Sequence, residues 1–284
     1  MKNIFLPFIL LFTLFTGLAQ ERFGGAMLYT VRDDMNKNAE KTIEEVATIG
    51  YDYIELAGYN DGKFYGMSPK DFKAVLEENG LRAVSSHHSD ITLENADQVI
   101  ADVKALGISH LVIPIPPMGM FTYDAKNHTM GMKGSADKLL EILTIIGKKC
   151  NAQGLRLLYH NHDFEFSKNE NGFVLMDYLL ENTDPKFVNF QLDLYWTTKA
   201  GADPLVYFDR YPGRFNSFHV KDRDSQGRFS PVGEGEIDFK SIILEKEKAG
   251  MQYYFVEQDR TFDGMQPLEA LKISHGNLKA LGFE

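Results

Sequence analysis

One unit recurs along this chain and limits its fold more than any other feature: a helical stretch, a glycine, then a short apolar run. It occurs at Ile49-Gly50-Tyr51-Asp52-Tyr53-Ile54, Asn79-Gly80-Leu81-Arg82-Ala83-Val84, Leu106-Gly107-Ile108, Gln153-Gly154-Leu155-Arg156-Leu157 and Ala249-Gly250-Met251-Gln252-Tyr253. Glycine ends a helix because it enters the left-handed region without a Cβ clash. The first two steps are about 30 residues, the length of one strand–helix repeat. Alternation of this kind implies a parallel sheet covered by helices.

The pattern predicts eight strands, over 24–28, 53–56, 82–86, 111–115, 156–160, 188–193, 215–221 and 253–257. Helices fit between them over 39–49, 69–79, 93–106, 133–153, 174–182, 204–211, 239–249 and 267–281. Ser68 before Pro69 and Asp203 before Pro204 read as helix caps. Eight such units with no leftover block predict an α/β fold, a (β/α)8 barrel, as one domain over 20–284. An open doubly wound sheet would need a Gly-rich turn after its first strand, and Gly24-Gly25-Ala26 lies at that strand's start instead.

The first residues read as a separate object. Lys2 precedes an apolar run over 4–15, and Thr16-Gly17-Leu18-Ala19 resembles a cleavage site. A signal peptide over 1–19 is expected, giving an exported mature chain, periplasmic or secreted, without a stable membrane anchor. An uncleaved anchor is the alternative; the absence of a cysteine near the cut disfavours a lipoprotein. The formal net charge of -10 argues against a nucleic-acid partner. With one cysteine, Cys150, neither a disulfide nor a cysteine zinc site can form, so a metal must rest on His, Asp and Glu.

In a (β/α)8 barrel the active site forms at the C-terminal ends of the strands. There the sequence places Glu55, Ser85-Ser86-His87-His88, His160-Asn161-His162-Asp163-Phe164-Glu165, Asp193, His219-Val220-Lys221-Asp222 and Glu257. Asp193, His219 and Glu257 on three consecutive strands, with Glu165 after the fifth, make a carboxylate-rich set with an imidazole. Such ligands suit Mn²⁺, Mg²⁺, Co²⁺ or Zn²⁺. The plainer alternative is a structural salt-bridge network at the rim. Lys221 beside Asp222 reads as a functional lysine or as a simple ion pair. Trp196 and Tyr195 read as sugar-stacking surfaces or as packing.

The segments Tyr159-His160-Asn161-His162-Asp163-Phe164-Glu165-Phe166, Leu192-Asp193-Leu194-Tyr195-Trp196, Phe218-His219-Val220-Lys221-Asp222, Val232-Gly233-Glu234-Gly235-Glu236-Ile237-Asp238-Phe239 and Phe255-Val256-Glu257 resemble the sugar phosphate isomerase/epimerase superfamily, the xylose isomerase-like barrel. The resemblance covers essentially the whole mature chain. It implies a divalent metal held by Glu, Asp, His and Glu from strands 5 to 8. Asp193, His219 and Glu257 match that pattern. Strand 5 departs from it, reading Leu158-Tyr159-His160 with no Glu. Glu165 is the favoured fourth ligand, with His160 or His162 as alternatives. The acid-base pair is then His162 or His160 with Glu257, with Lys221 taking part, and Glu55, His88 and Trp196 are placed against substrate. The expected reaction is isomerisation or epimerisation of an unphosphorylated keto or aldose sugar through an enediolate. The alternative outcome is elimination from a 3-keto-glycoside or an inosose. An abasic-site nuclease is disfavoured by the acidic charge, and a non-catalytic sugar-binding protein would not need the metal. The oligomeric state stays open.

Overall fold

In the computed structural model, which describes residues 22–168 and 172–284, eight parallel strands close into a barrel in sequential order. They are β1 (Gly25–Met27), β2 (Tyr53–Leu56), β3 (Arg82–His87), β4 (His110–Ile113), β5 (Arg156–His160), β6 (Val188–Asp193), β7 (Phe215–Val220) and β8 (Tyr253–Val256). Gly25 of β1 pairs with Phe255 of β8, which closes the ring. The signal segment expected over 1–19 lies outside the described residues. Among the described residues no helix is long and apolar enough to cross a membrane.

Local chemistry sets the helix ends. The Asn38 side chain accepts from the Lys41 amide to start the helix Ala39–Ile49, and Gly50 ends it at φ +116°. Ser68 caps Pro69–Glu78 in the same way, with Pro69 in the first turn. The helix Ala136–Ala152 buries Leu139, Ile142, Leu143, Ile146 and Cys150, one stripe at helical spacing. Its Gly147 faces the chain entering β6, where an added Cβ would lie 2.4 Å from the Phe187 carbonyl oxygen. Glycine there lets helix and sheet close together.

Two apolar layers hold the barrel. The larger lies between strands and helices. The smaller, Met27, Tyr53, Val84 and Phe255, forms a separate cluster. Side chains alternate along a strand, so Tyr53 shares a face with Glu55 and Phe255 with Glu257. The lumen is therefore apolar below and polar above, towards the C-terminal rim. Register shifts at Ile54/Glu55 and Phe190/Gln191 insert an extra residue opposite each step. Such bulges re-aim side chains near a site.

The structure corrects several boundaries. β4 spans His110–Ile113 rather than 111–115, because Pro114 has no N–H to continue the ladder. The helix expected over 133–153 starts at Ala136, where Ser135 caps it. Three hairpins were not anticipated: Tyr59–Asn60 with Lys63–Phe64, Phe121–Asp124 with Thr129–Met132, and Asp222–Arg223 with Phe229–Ser230. The first was legible. Asp61 and Gly62 both take positive φ, the mark of a two-residue hairpin turn.

Candidate active site

The polar layer begins with Glu55, fully buried on β2. Its Oε1 accepts from Ser85 Oγ at 2.6 Å and Gln191 Nε2 at 2.7 Å. Its Oε2 meets His219 Nε2 and lies 3.2 Å from His87 Nε2. Burial pushes its carboxyl pKa up, but the His87 and His219 rings outweigh that and hold it well below the ordinary range. The expectation that Glu55 touches substrate is therefore corrected: all its acceptors are turned inwards, and it fixes the far nitrogen of His219. A carboxylate behind a histidine sets the tautomer and aim of the other ring nitrogen.

That other nitrogen, His219 Nδ1, lies 2.7 Å from Glu257 Oε2 and 3.8 Å from Asp193 Oδ2. Ligand atoms of Asp193, His219 and Glu257 all fall within 4.8 Å of one another. Asp193 ends β6 and also caps the helix Leu194–Lys199, its Oδ1 accepting from the Trp196 amide at 2.9 Å. The cap orients the carboxylate and leaves Oδ2 for the centre. Lys221, almost fully buried, brings Nζ to 3.0 Å from Asp193 Oδ2, 2.7 Å from Glu257 Oε2 and 3.0 Å from Asp259 Oδ1. The simple pairing of Lys221 with Asp222 does not occur. Asp222 faces the other way and accepts the Gly233, Gly235 and Ile237 amides, which explains the Gly-Glu-Gly-Glu segment as a loop anchor.

One ammonium serves three carboxylates, and the protonation directions follow. Burial raises Glu257, yet the nearby Lys221 and His219 charges carry its pKa well below normal. Asp259 is pushed up to about 6, mainly by burial, and Asp193 is raised for the same reason. Burial opposes the charge on His219, but Glu257 and Glu55 outweigh it and bring the ring to about 10. Burial likewise opposes charge on Lys221, and its carboxylate partners override it.

The β5 end separates the candidates for the fourth ligand in space. Glu165, fully buried, accepts the His162 amide at 2.8 Å and the Tyr159 hydroxyl at 2.9 Å. Burial lifts its pKa to about 8. The favoured assignment of Glu165 as a metal ligand is corrected: it clamps the backbone of the β5 turn and lies outside the His/Asp/Glu clusters among the described residues. His160 faces inwards instead, with Nδ1 2.9 Å from Gln191 Oε1 and Nε2 3.9 Å from Asp193 Oδ2. That leaves His160, the alternative fourth ligand, beside the Asp193 carboxylate, and its ring also groups with His87 and His219. His162 sits beside Trp196, ring centroids 5.4 Å apart, with a buried Nδ1 that has no hydrogen-bond partner. Burial lowers its pKa to about 3, so the ring is neutral.

The β3 end brings another correction. His88 turns away from the lumen and packs on Tyr59 and Phe64, so it does not meet substrate. The histidine at the centre is His87, stacked on His219 with centroids 5.3 Å apart. Trp196 lines the cavity above the centre, which has a volume of about 780 Å³. His87, His160, His162, Lys221, Glu257 and Asp259 share that wall. The sequence reading missed Asp259, two residues beyond Glu257, and Gln191, which bridges Glu55 and His160.

Do these residues fit a divalent cation? Four acidic side chains (Glu55, Asp193, Glu257, Asp259) face two cationic ones (His219, Lys221). The surplus of negative charge is what a divalent ion would neutralise. The donors, two imidazoles and two carboxylates, are metal ligand types. Binding at His219 Nδ1 would displace the proton shared with Glu257, and Lys221 retains Asp259 as its own partner. The set fits, with His160, Asp193, His219 and Glu257 as the residues that would hold the ion.

Comparison with known proteins agrees with this fold. The family model described as xylose isomerase-like TIM barrel matches residues 43–272. An inosose dehydratase of Salmonella agona is 29% identical over 152 residues, 46% of this chain and 49% of that protein, so the match spans about half of this relative. A solved sugar phosphate isomerase/epimerase from Parabacteroides distasonis is 26% identical, with a TM-score of 0.78 over 94% of this chain and 97% of its own. The IOLI protein, solved with a zinc atom, shares the fold at 15% identity and a TM-score of 0.67, covering 92% of this chain and 97% of its own.

Proposed function

The chain belongs to the xylose isomerase-like TIM barrel family, and we propose that it is a divalent-metal-dependent enzyme that takes the proton α to a sugar carbonyl. The observation that carries this reading is the convergence of Asp193, His219 and Glu257 beneath a cavity of sugar size. When bound, the ion supplies polarisation of the sugar carbonyl. The zinc of the IOLI protein supports a metal of this kind, and two imidazoles in the set favour Zn²⁺, Co²⁺ or Mn²⁺ over Mg²⁺.

The chain's own residues do the rest. Glu257 is held ionised at the cavity wall, where it can accept the α proton. His162, neutral and with a free Nδ1, lies beyond β5, three strands from β8 around the barrel, and carries the second proton transfer. Trp196 offers a flat face for the sugar ring. Return of the proton to carbon gives isomerisation or epimerisation.

A second reading has its own observation. Lys221 is a buried ammonium at the cavity wall, 2.7 Å from Glu257, and can hydrogen-bond a departing oxygen and stabilise its developing negative charge. That favours β-elimination, and the similarity to inosose dehydratases supports it. Export of the mature chain belongs to the same proposal, since an exported enzyme meets unphosphorylated sugars.

The test is incubation of the Mn²⁺- or Zn²⁺-loaded protein with free ketoses, 3-keto-glycosides and inososes in D₂O, followed by NMR. Deuterium at one α-carbon, or an eliminated enone, is expected. Substrates recovered without deuterium and without elimination contradict the proposal.

A further inference from the structure

We propose that the cavity accepts a sugar bearing a carboxylate, with Arg32 and Arg260 as the residues that recognise it. The inference rests on the sugar-enzyme reading above and adds the charge of the substrate.

The chain carries a net charge of -10, yet one cavity collects Arg32, Lys199, Lys221, Arg228 and Arg260. Three of these already have partners. Lys199 holds Asp163 at 2.9 Å, Arg228 holds Asp224 at 2.8 Å, and Lys221 neutralises Glu257 and Asp259. Among the described residues, Arg82, Arg210 and Arg228 are the arginines with carboxylate partners. Arg32 and Arg260 line the cavity without one.

Arg32 is also prearranged. Its Nη1 donates to the Tyr29 carbonyl at 2.9 Å and its Nη2 to the Asp259 carbonyl at 3.1 Å. The guanidinium lies 4.4 Å above the Tyr29 ring. These contacts fix its plane and leave its other N–H donors unused. A held fork loses little freedom on binding, and its planar geometry matches a carboxylate. Asp259 ties this group to the reacting centre, since its side chain holds Lys221 while its carbonyl holds Arg32. Arg260, the next residue, is exposed at the same rim and adds a second positive charge. A neutral sugar would leave both guanidiniums without a counter-charge.

Trp196, the chain's single tryptophan, lines this cavity and reports binding by fluorescence. The metal-loaded protein is titrated with D-glucuronate, its methyl ester, D-glucose and D-glucose 6-phosphate. Glucuronate is expected to bind at least about tenfold more tightly than ester or glucose. Arg32→Gln and Arg260→Gln should each bring that ratio towards one, and Arg32→Lys should restore part of it. Arg260→Gln changes an exposed residue, so the test survives if the Arg32 variants fold poorly. Equal binding of acid and ester, no response to any sugar, or an unchanged ratio in both Gln variants overturns the proposal. Tighter binding of the 6-phosphate than of glucuronate also overturns it, in favour of a phosphate. Deuterium exchange on neutral ketoses without acid preference sinks this inference alone. Acid preference without exchange on any sugar sinks the catalytic reading alone.

Discussion

Exchanging Glu257 for Gln lowers kcat by about a thousandfold while the barrel still folds. Gln keeps the shape and one acceptor oxygen, so Lys221 retains a contact there as well as Asp193 and Asp259. What Gln lacks is the negative charge, needed both to hold a cation and to accept a proton from carbon. The measurement is turnover by NMR, with circular dichroism to establish folding. Turnover near the parent's value would assign the base to another group, with His162 the next candidate.

The second large effect falls on stability. Lys221→Met removes the ammonium from Asp193, Glu257 and Asp259 together. Breaking a buried charge pair from one side costs about 3–5 kcal/mol, because the remaining charge keeps its desolvation penalty. The chelated variant should lose stability of that order in urea unfolding. The loss should grow with pH: burial keeps carboxyl groups protonated, their ionisation proceeds as pH rises, and the ionised form is the one without a partner. A divalent cation should restore more stability to the variant than it adds to the parent, since it meets less competing positive charge. A chelated variant as stable as the parent would mean that Lys221 does not neutralise this cluster.

The barrel was legible because its punctuation is local. Gly50 and Gly250 end helices in the left-handed region whatever the distant packing does. The strand-end residues were legible for a similar reason: strand alternation and the barrel rim together limit where Asp193, His219 and Glu257 can point. Single-residue register was not. His87 ends β3 and His88 is the next residue, and a one-residue step exchanges the direction of the side chain. The irregular pairing beside Glu55 shifts that count in a way only the neighbouring strand reveals. Glu165 misled because residue type suggested a ligand, whereas its oxygens are taken by the His162 amide and the Tyr159 hydroxyl. Asp259 stood just past the strand end with nothing local to mark it. Its importance comes from Lys221, 38 residues earlier in the chain.

Anomalous diffraction from crystals grown with Mn²⁺ or Zn²⁺ tests the central claim most directly. One strong peak is predicted within bonding distance of Asp193 Oδ2, His219 Nδ1 and Glu257 Oε2, with His160 Nε2 turned towards it. A peak at another place, or metal-saturated crystals with Lys221 still bridging Asp193 and Glu257 and no peak between them, would contradict the account.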